Sequence, residues 1–116
     1  MTKVLYIDDE PINLLIFKTL FEKKYEVITG LSGLDGLELL KKHDDIPVVI
    51  SDMQMPEMDG IEFIEKARQL YPNIKFSILT GYDITPKIKK ALEGEVICNY
   101  FQKPFNFTDI DSKISL

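Results

Sequence analysis

The chain has 116 residues, of which 45% are hydrophobic and 28% are charged, and its formal net charge is −5. These values are typical of a globular domain with a core of its own, so we expect residues 1–116 to form one domain, and the negative charge disfavours binding to nucleic acid or anionic lipid. One cysteine excludes an internal disulfide, and no apolar run approaches the length of a membrane span, so we expect a cytoplasmic protein.

Short β-rich apolar runs alternate with stretches of helical period along the chain. The predicted strands lie near residues 3–7, 25–29, 47–51, 75–79 and 97–101. The predicted helices lie near residues 11–23, 33–42, 58–70, 85–93 and 106–114. This alternation favours βαβ units, and therefore an α/β fold with a doubly wound (βα)5 arrangement and a parallel sheet covered on both faces.

The composition of the strands and the residues between elements refine this prediction. The first, third and fourth strands are nearly continuous apolar runs, which indicates central strands, whereas residues 25–29 are more polar and suit an edge. Pro11 is placed to open the first helix, and Ser32 and Thr85 are placed to cap the second and fourth. Gly94 stands where the fourth helix is expected to end.

The first predicted helix is unusually apolar. Seven of its side chains wrap more than half of its circumference: Ile12, Leu14, Leu15, Ile16, Phe17, Leu20 and Phe21. We expect most of them to be packed deeply between the sheet and neighbouring helices. The alternative is an exposed apolar strip that includes Leu14 and on which a partner helix docks. Cys98, in the last apolar run, is expected to be a small buried hydrophobe.

Four predicted strands end in polar residues that phosphate chemistry can use. Asp8 and Asp9 follow the first strand, Asp52 the third, Thr80 the fourth and Lys103 the fifth. The carboxyl ends of parallel strands lie on one edge of a sheet, and ligands bind there. Residues from almost the whole chain are therefore expected to share one site with three carboxylates, a hydroxyl and an ammonium group.

Each of these residues has an ordinary structural explanation when it is taken alone, because acidic residues favour helix N-termini and most lysines are solvated. Together they fit phosphoryl transfer to an aspartate, which forms an acyl phosphate. Three crowded carboxylates call for a hard divalent ion such as Mg²⁺, which prefers oxygen ligands. The Lys103 ammonium group would neutralise the phosphoryl oxygens, and the Thr80 hydroxyl would bind them.

The same residues resemble the motifs of response-regulator receiver domains, the CheY-like phosphoacceptor modules of two-component signalling. The matching features are Asp8-Asp9, Asp52 followed by Met55-Pro56-Glu57-Met58-Asp59-Gly60, Thr80-Gly81, and Lys103-Pro104-Phe105. They occur in this order over essentially the whole chain. The resemblance implies a flavodoxin-like sheet with strand order 2-1-3-4-5.

The resemblance also implies a role for each site residue. Asp52 would be the phosphoacceptor, and Mg²⁺ would be held by Asp9, Asp52 and the backbone carbonyl of Gln54. Asp8 would act through a metal-bound water.

The resemblance further implies a two-state switch rather than an enzyme. Lys103, expected to precede a cis Lys103–Pro104 bond, would pair with the phosphoryl group, and Thr80 would swing toward it. Tyr100 occupies the aromatic switch position, whose ring moves inward and changes the face around the fourth helix, fifth strand and fifth helix. The phosphoryl donor would be a sensor histidine kinase or a histidine phosphotransfer domain. The output would be an unknown domain or protein, or a phosphorylation-linked dimer.

The resemblance leaves some properties of the chain open. Gln54 and Tyr82 occupy positions that tune the lifetime of the acyl phosphate in the family. The last predicted helix is short and no output domain follows it, so the chain would be a stand-alone receiver or a fragment of a longer regulator or hybrid kinase.

Three other functions compete with the switch. A magnesium phosphohydrolase with an aspartyl-phosphate intermediate usually has a second aspartate two residues after the nucleophile, where this chain has Gln54. A flavodoxin-like cofactor binder offers hydroxyls and amides after its first strand, whereas Asp8 to Pro11 would repel a phosphate. A phosphorylation-independent interaction module would have no need for the complete set of site residues.

Overall fold

The computed structural model describes residues 1–81 and 83–115 and has five strands alternating with five helices. The strands are β1 Thr2–Ile7, β2 Tyr25–Gly30, β3 Val48–Asp52, β4 Lys75–Thr80 and β5 Asn99–Gln102. The helices are α1 Pro11–Phe21, α2 Gly33–Lys42, α3 Gly60–Leu70, α4 Pro86–Glu93 and α5 Phe107–Ile114. All strand pairs are parallel, in the order β2-β1-β3-β4-β5, so the predicted fold and strand order are confirmed.

The sheet separates two apolar layers, as a doubly wound fold requires. Successive side chains of a strand point to opposite faces. In β1, Leu5 and Ile7 therefore pack with α2, α3 and α4, whereas Val4 and Tyr6 pack with α1 and α5. All four of these β1 side chains are fully buried, which fits a central strand, and the more polar β2 forms an edge as predicted.

The helix starts follow the predicted capping chemistry. Pro11 opens α1, the Ser32 hydroxyl accepts from the Asp35 N–H at 3.0 Å, and the Thr85 hydroxyl accepts from the Ile88 N–H at 3.2 Å. Gly94 is the residue at which α4 ends. The longest helices have 11 residues, and within residues 1–81 and 83–115 no helix is long and apolar enough to cross a membrane.

The packing of α1 differs from the prediction. Only Phe17 and Phe21 are fully buried, and Leu14 is partly buried against the same core. The remaining apolar side chains are largely exposed: Ile12 at 58%, Leu15 at 60%, Ile16 at 44% and Leu20 at 46%. The expectation that most of the helix is deeply packed is therefore wrong, because α1 meets the sheet through one stripe only. The alternative, an exposed apolar strip, describes the helix better.

The prediction for Cys98 is also wrong, because its side chain is exposed. The residue lies just before β5, and its backbone N–H donates to the Phe76 carbonyl at 2.8 Å. Its neighbour Ile97 is buried. Cys98 stands in a bend rather than in the strand, so the apolar run does not carry its side chain into the core.

Candidate functional site

The carboxyl edge of the sheet gathers three aspartates. Ile7 of β1 pairs with Ser51 of β3, so the residues that follow, Asp8 and Asp52, emerge side by side. Asp8 and Asp52 are buried and Asp9 is half-buried. One carboxylate oxygen from each of the three residues lies within 4.8 Å of the others, a spacing that could hold a metal ion.

Lys103 reaches this cluster from the segment after β5. Its Nζ lies 2.9 Å from Asp8 Oδ2 and 3.4 Å from Asp52 Oδ1. Its backbone N–H donates to the Thr80 carbonyl at 2.7 Å, and the Lys103–Pro104 bond is cis, as predicted. Burial acts to lower the pKa of Lys103, but Asp8 and Asp52 outweigh it and raise that pKa, so the ammonium group is charged at neutral pH.

The environment of Asp52 disfavours the ionised form of its carboxyl group. Burial, followed by the charge of Asp8, raises the pKa of Asp52 to about 6, although Lys103 acts in the opposite direction. In addition, one ammonium group faces three carboxylates in this cluster, so negative charge is in excess. An all-oxygen set with surplus negative charge fits a hard divalent cation such as Mg²⁺, which would bind within the cluster of Asp8, Asp9 and Asp52.

Asp8 has a further partner that sequence reasoning missed. The Tyr6 hydroxyl donates to Asp8 Oδ2 at 2.7 Å, and the Glu10 N–H donates to Asp8 Oδ1 at 3.0 Å. Burial, together with the bond to Asp8, raises the pKa of Tyr6, so its hydroxyl keeps its proton and remains a donor. The sequence signal is a tyrosine within the apolar run of residues 4–7, two residues before Asp8 and thus on the same face.

Two further predicted site residues, Thr80 and Gln54, are near Asp52 in the sheet and in the sequence, respectively. Thr80 ends β4 and is buried, one residue beyond Leu79, which pairs with Asp52. Gln54 is exposed, two residues after Asp52.

The predicted switch residue Tyr100 lies within β5, two residues before the carboxyl end of the strand. It is half-buried in β5, opposite Ile78, and packs against the core on the α2–α4 side. Tyr82, for which a tuning role was expected, lies outside the described residues.

The strand order and the acidic carboxyl edge define a flavodoxin-like α/β domain of the CheY type. The family model for the response regulator receiver domain matches residues 4–115, and the chain belongs to this family. Receiver domains are components of two-component signalling systems, and they are signalling domains rather than conventional enzymes.

Individual relatives agree with this membership. The chain is 29% identical over 109 residues to sporulation initiation phosphotransferase F of Bacillus subtilis, covering 93% of this chain and 86% of that protein. It is 26% identical over 114 residues to sensor kinase CckA of Brucella abortus, covering 97% of this chain but only 12% of the kinase. The crystal structure of response regulator TrrA from Thermotoga maritima, in complex with Mg(2+)-BeF, aligns with a TM-score of 0.83 and 29% identity, covering 98% of this chain and 96% of TrrA.

Proposed function

We propose that residues 1–116 act as one phosphorylation-dependent switch, in which Asp52 accepts a phosphoryl group from a histidine of a partner kinase or phosphotransfer protein. The observation that carries this proposal is the setting of Asp52. Its carboxylate is buried beside two other aspartates, and the Lys103 ammonium group lies 3.4 Å away. A carboxylate whose pKa is about 6 is ionised at neutral pH, yet it is more basic and more nucleophilic than an ordinary aspartate.

The proposed step is a displacement at phosphorus. An Asp52 oxygen forms a bond to phosphorus while the phosphorus–nitrogen bond of the phosphohistidine breaks. The electron pair of that bond stays on the imidazole nitrogen, which takes up a proton. Lys103 pairs with the phosphoryl oxygens, and the Thr80 hydroxyl donates to one of them.

A magnesium ion would complete the charge balance of this site. Asp9, Asp52 and the backbone carbonyl of Gln54 would hold Mg²⁺, with Asp8 contributing through a water. When it is bound, Mg²⁺ supplies the positive charge that brings the phosphoryl oxygens and the carboxylate together. Slow loss of the phosphoryl group to water would then reset the switch.

The signal is read away from Asp52. A phosphoryl group adds about −1.5 to −2 charges and three acceptor oxygens. Thr80 moves toward these oxygens, Tyr100 turns inward, and the α4-β5-α5 face changes shape for an output domain, a separate protein or a second phosphorylated copy. By linkage, a partner that prefers the changed face also stabilises the phosphorylated form.

Acetyl phosphate provides a direct test of this function. In the presence of Mg²⁺, the intact mass of the wild-type protein is expected to rise by one phosphoryl group, and peptide mapping should place that group on Asp52. With EDTA in place of Mg²⁺, we expect no adduct. An absent adduct on the wild type with Mg²⁺ would refute the proposal, and steady turnover of small phosphate esters would favour the phosphohydrolase.

The exposed strip of α1 is the surface on which we expect the histidine-bearing helix of the phosphoryl donor to dock. A groove of about 410 Å³ runs between α1 and the segment after β5. It is lined by Asn13, Ile16, Leu20, Lys103, Pro104 and Phe105. Lys103 belongs to both the groove and the acidic cluster. An amphipathic helix laid against α1 would therefore place its histidine beside Asp52.

Ile16→Ser tests this surface. Ile16 is 44% exposed, so the fold should tolerate the change, but a central apolar contact of about 1–2 kcal/mol would be lost, and transfer should slow roughly tenfold. Transfer is measured from a panel of purified, autophosphorylated histidine kinases and phosphotransfer domains. Phosphorylation by acetyl phosphate should be unchanged.

The matched control is Leu70→Ser, at the end of α3, where the leucine is 63% exposed and lines a cavity that shares no residue with the α1 groove. Transfer to this variant should equal transfer to the wild type. Equal losses in both variants, or none in Ile16→Ser, would count against docking on α1.

A further inference from the structure

The side chain of Tyr6 is held rigidly in the layer between the sheet and α1. It is fully buried, and its ring stacks on Phe17 with centroids 4.2 Å apart and planes inclined by 19°. Phe17 in turn stacks on Phe21 at 4.1 Å. A fully buried ring that stacks on a neighbour has little room to follow a moving partner, so packing determines the position of the hydroxyl. That position is 2.7 Å from Asp8 Oδ2.

Asp8 is fully buried, and its hydrogen bonds divide unequally between its oxygens. Oδ2 accepts from the Tyr6 hydroxyl and from Lys103 Nζ, whereas Oδ1 accepts from the Glu10 N–H. A carboxylate oxygen has about two acceptor positions. In the described part of the chain, two donors therefore occupy both acceptor positions of Oδ2, whereas one donor occupies a single acceptor position of Oδ1.

The two donors to Oδ2 differ in what happens to them during the proposed switch. The Lys103 ammonium group lies between Asp8 and Asp52, within 2.9 Å of one and 3.4 Å of the other, and would turn toward a phosphoryl group on Asp52. Tyr6 cannot move. Once Lys103 has turned away, the Tyr6 hydroxyl is the donor that still compensates Oδ2. Without it, a buried carboxylate oxygen would lose both of its donors in the phosphorylated state but only one in the unphosphorylated state.

We propose that Tyr6 is a positioning residue of the phosphoacceptor site, which orients Asp8 and selectively stabilises the state in which Lys103 has left Asp8 for the phosphoryl group. This inference rests on the proposed function of Asp52 and Lys103. It distinguishes Tyr6 from a residue that only fills the core, because a packing role would affect both states of the switch equally.

The test compares the wild type with Tyr6→Phe, which keeps the ring and removes the hydroxyl. Mg²⁺ alone is titrated first, and beryllofluoride, an analogue of the aspartyl phosphate, is then titrated at saturating Mg²⁺, with amide NMR shifts as the readout. We expect the beryllofluoride dissociation constant to rise about tenfold or more, since a buried charged acceptor loses its remaining donor. The Mg²⁺ dissociation constant should change less than about threefold.

Tyr25→Phe is the matched control. The Tyr25 hydroxyl also donates to an aspartate, Asp111 of α5, in the same layer but away from the acidic cluster. Both dissociation constants of this variant should equal those of the wild type. Urea unfolding in EDTA checks that Tyr6→Phe, which keeps the buried ring stacked on Phe17, is folded under the conditions of both titrations, and the ratio of the two dissociation constants is the quantity compared.

The outcomes separate the two proposals. A wild type that binds beryllofluoride, with a Tyr6→Phe variant that binds it equally well or loses Mg²⁺ affinity in parallel, refutes the role of Tyr6 and leaves the function of Asp52 intact. A wild type that neither binds beryllofluoride nor accepts phosphate from acetyl phosphate refutes the proposed function and the role of Tyr6 with it.

Discussion

Asp52→Asn is expected to abolish phosphoryl acceptance and, without Mg²⁺, to make the fold more stable at neutral pH. Acceptance fails because an amide is not a nucleophile toward phosphorus. Stability rises because the wild-type carboxylate is ionised in a buried position beside Asp8, an arrangement that raises its pKa to about 6. The amide removes this charge, and its oxygen can still accept a hydrogen bond from Lys103.

The pH dependence of this stabilisation follows from the direction of the pKa shift. Between about pH 4, the ordinary pKa of an aspartate, and about pH 6, the folded wild type holds a proton on Asp52 that the unfolded chain has released. Wild-type stability therefore falls as the pH rises through this window, and the penalty is complete above it. The shift corresponds to roughly 2–3 kcal/mol. The advantage of Asp52→Asn should be small near pH 4 and complete at pH 7.

Urea unfolding at several pH values in EDTA, together with intact mass after treatment with acetyl phosphate and Mg²⁺, measures both effects. Asp9→Asn is the control, because it keeps the Asp52 carboxylate while removing one proposed metal ligand, and its acceptance should be recovered at higher Mg²⁺ concentration. An adduct on Asp52→Asn equal to that on the wild type would place the phosphoryl group elsewhere. A less stable Asp52→Asn at pH 7 would mean that the contact with Lys103 outweighs burial and repulsion.

The acidic edge could be predicted from the sequence because it depends on topology alone. When strands are parallel, the residue after each strand lies on a known edge, and the contacts among Asp8, Asp52 and Lys103 follow without knowledge of packing. The strand order could not be predicted in this way, because the alternation of strands and helices is compatible with more than one doubly wound sheet. It came from the resemblance to receiver domains.

The burial of α1, the exposure of Cys98 and the hydrogen bond of Tyr6 were predicted wrongly or not at all, because each depends on the tertiary surroundings of the residue. The apolar residues of α1 outnumber those that the sheet can cover, and no periodicity states how many neighbours a helix will have. The exposure of Leu15 and Ile16 therefore appeared only in the structure. Cys98 lies in an apolar run, but it is exposed because it stands in a bend before β5, which the run does not reveal. The bond from Tyr6 to Asp8 required both a strand register and a rotamer.

Gly60→Ala should produce the second large effect, a loss of fold stability joined to a loss of phosphoryl acceptance. Gly60 begins α3, and its N–H donates to the Met53 carbonyl at 2.8 Å, which brings the helix start against the end of β3. A methyl group on Gly60 would overlap the carbonyl oxygen of Asp52 and come within 2.8 Å of Ile78 Cδ1. The first of these neighbours is backbone, so rotation of a side chain cannot relieve the overlap.

The expected magnitude follows from overpacking in a well-packed region, which costs about 1–3 kcal/mol and more when backbone must move. Because the displaced backbone is that of Asp52 itself, the carboxylate should shift relative to Lys103, and phosphorylation by acetyl phosphate should slow by about tenfold or more. Urea unfolding and the rate of adduct formation measure the two losses separately.

Gly81→Ala provides the matched control for stability. It makes the same chemical change, but among the described residues, its chain neighbours aside, a methyl group there would meet no atom within 4 Å, and Gly81 has no positive φ angle that would require glycine. Its free energy of unfolding should remain within about 1 kcal/mol of the wild type, with a small gain from the stiffer unfolded chain. If the two alanine variants were equally stable, the close approach of α3 to the Asp52 carbonyl would not constrain the site. If Gly60→Ala is destabilised and Gly81→Ala is not, the position of Asp52 depends on the close approach of α3 to its carbonyl group, which only glycine at position 60 permits.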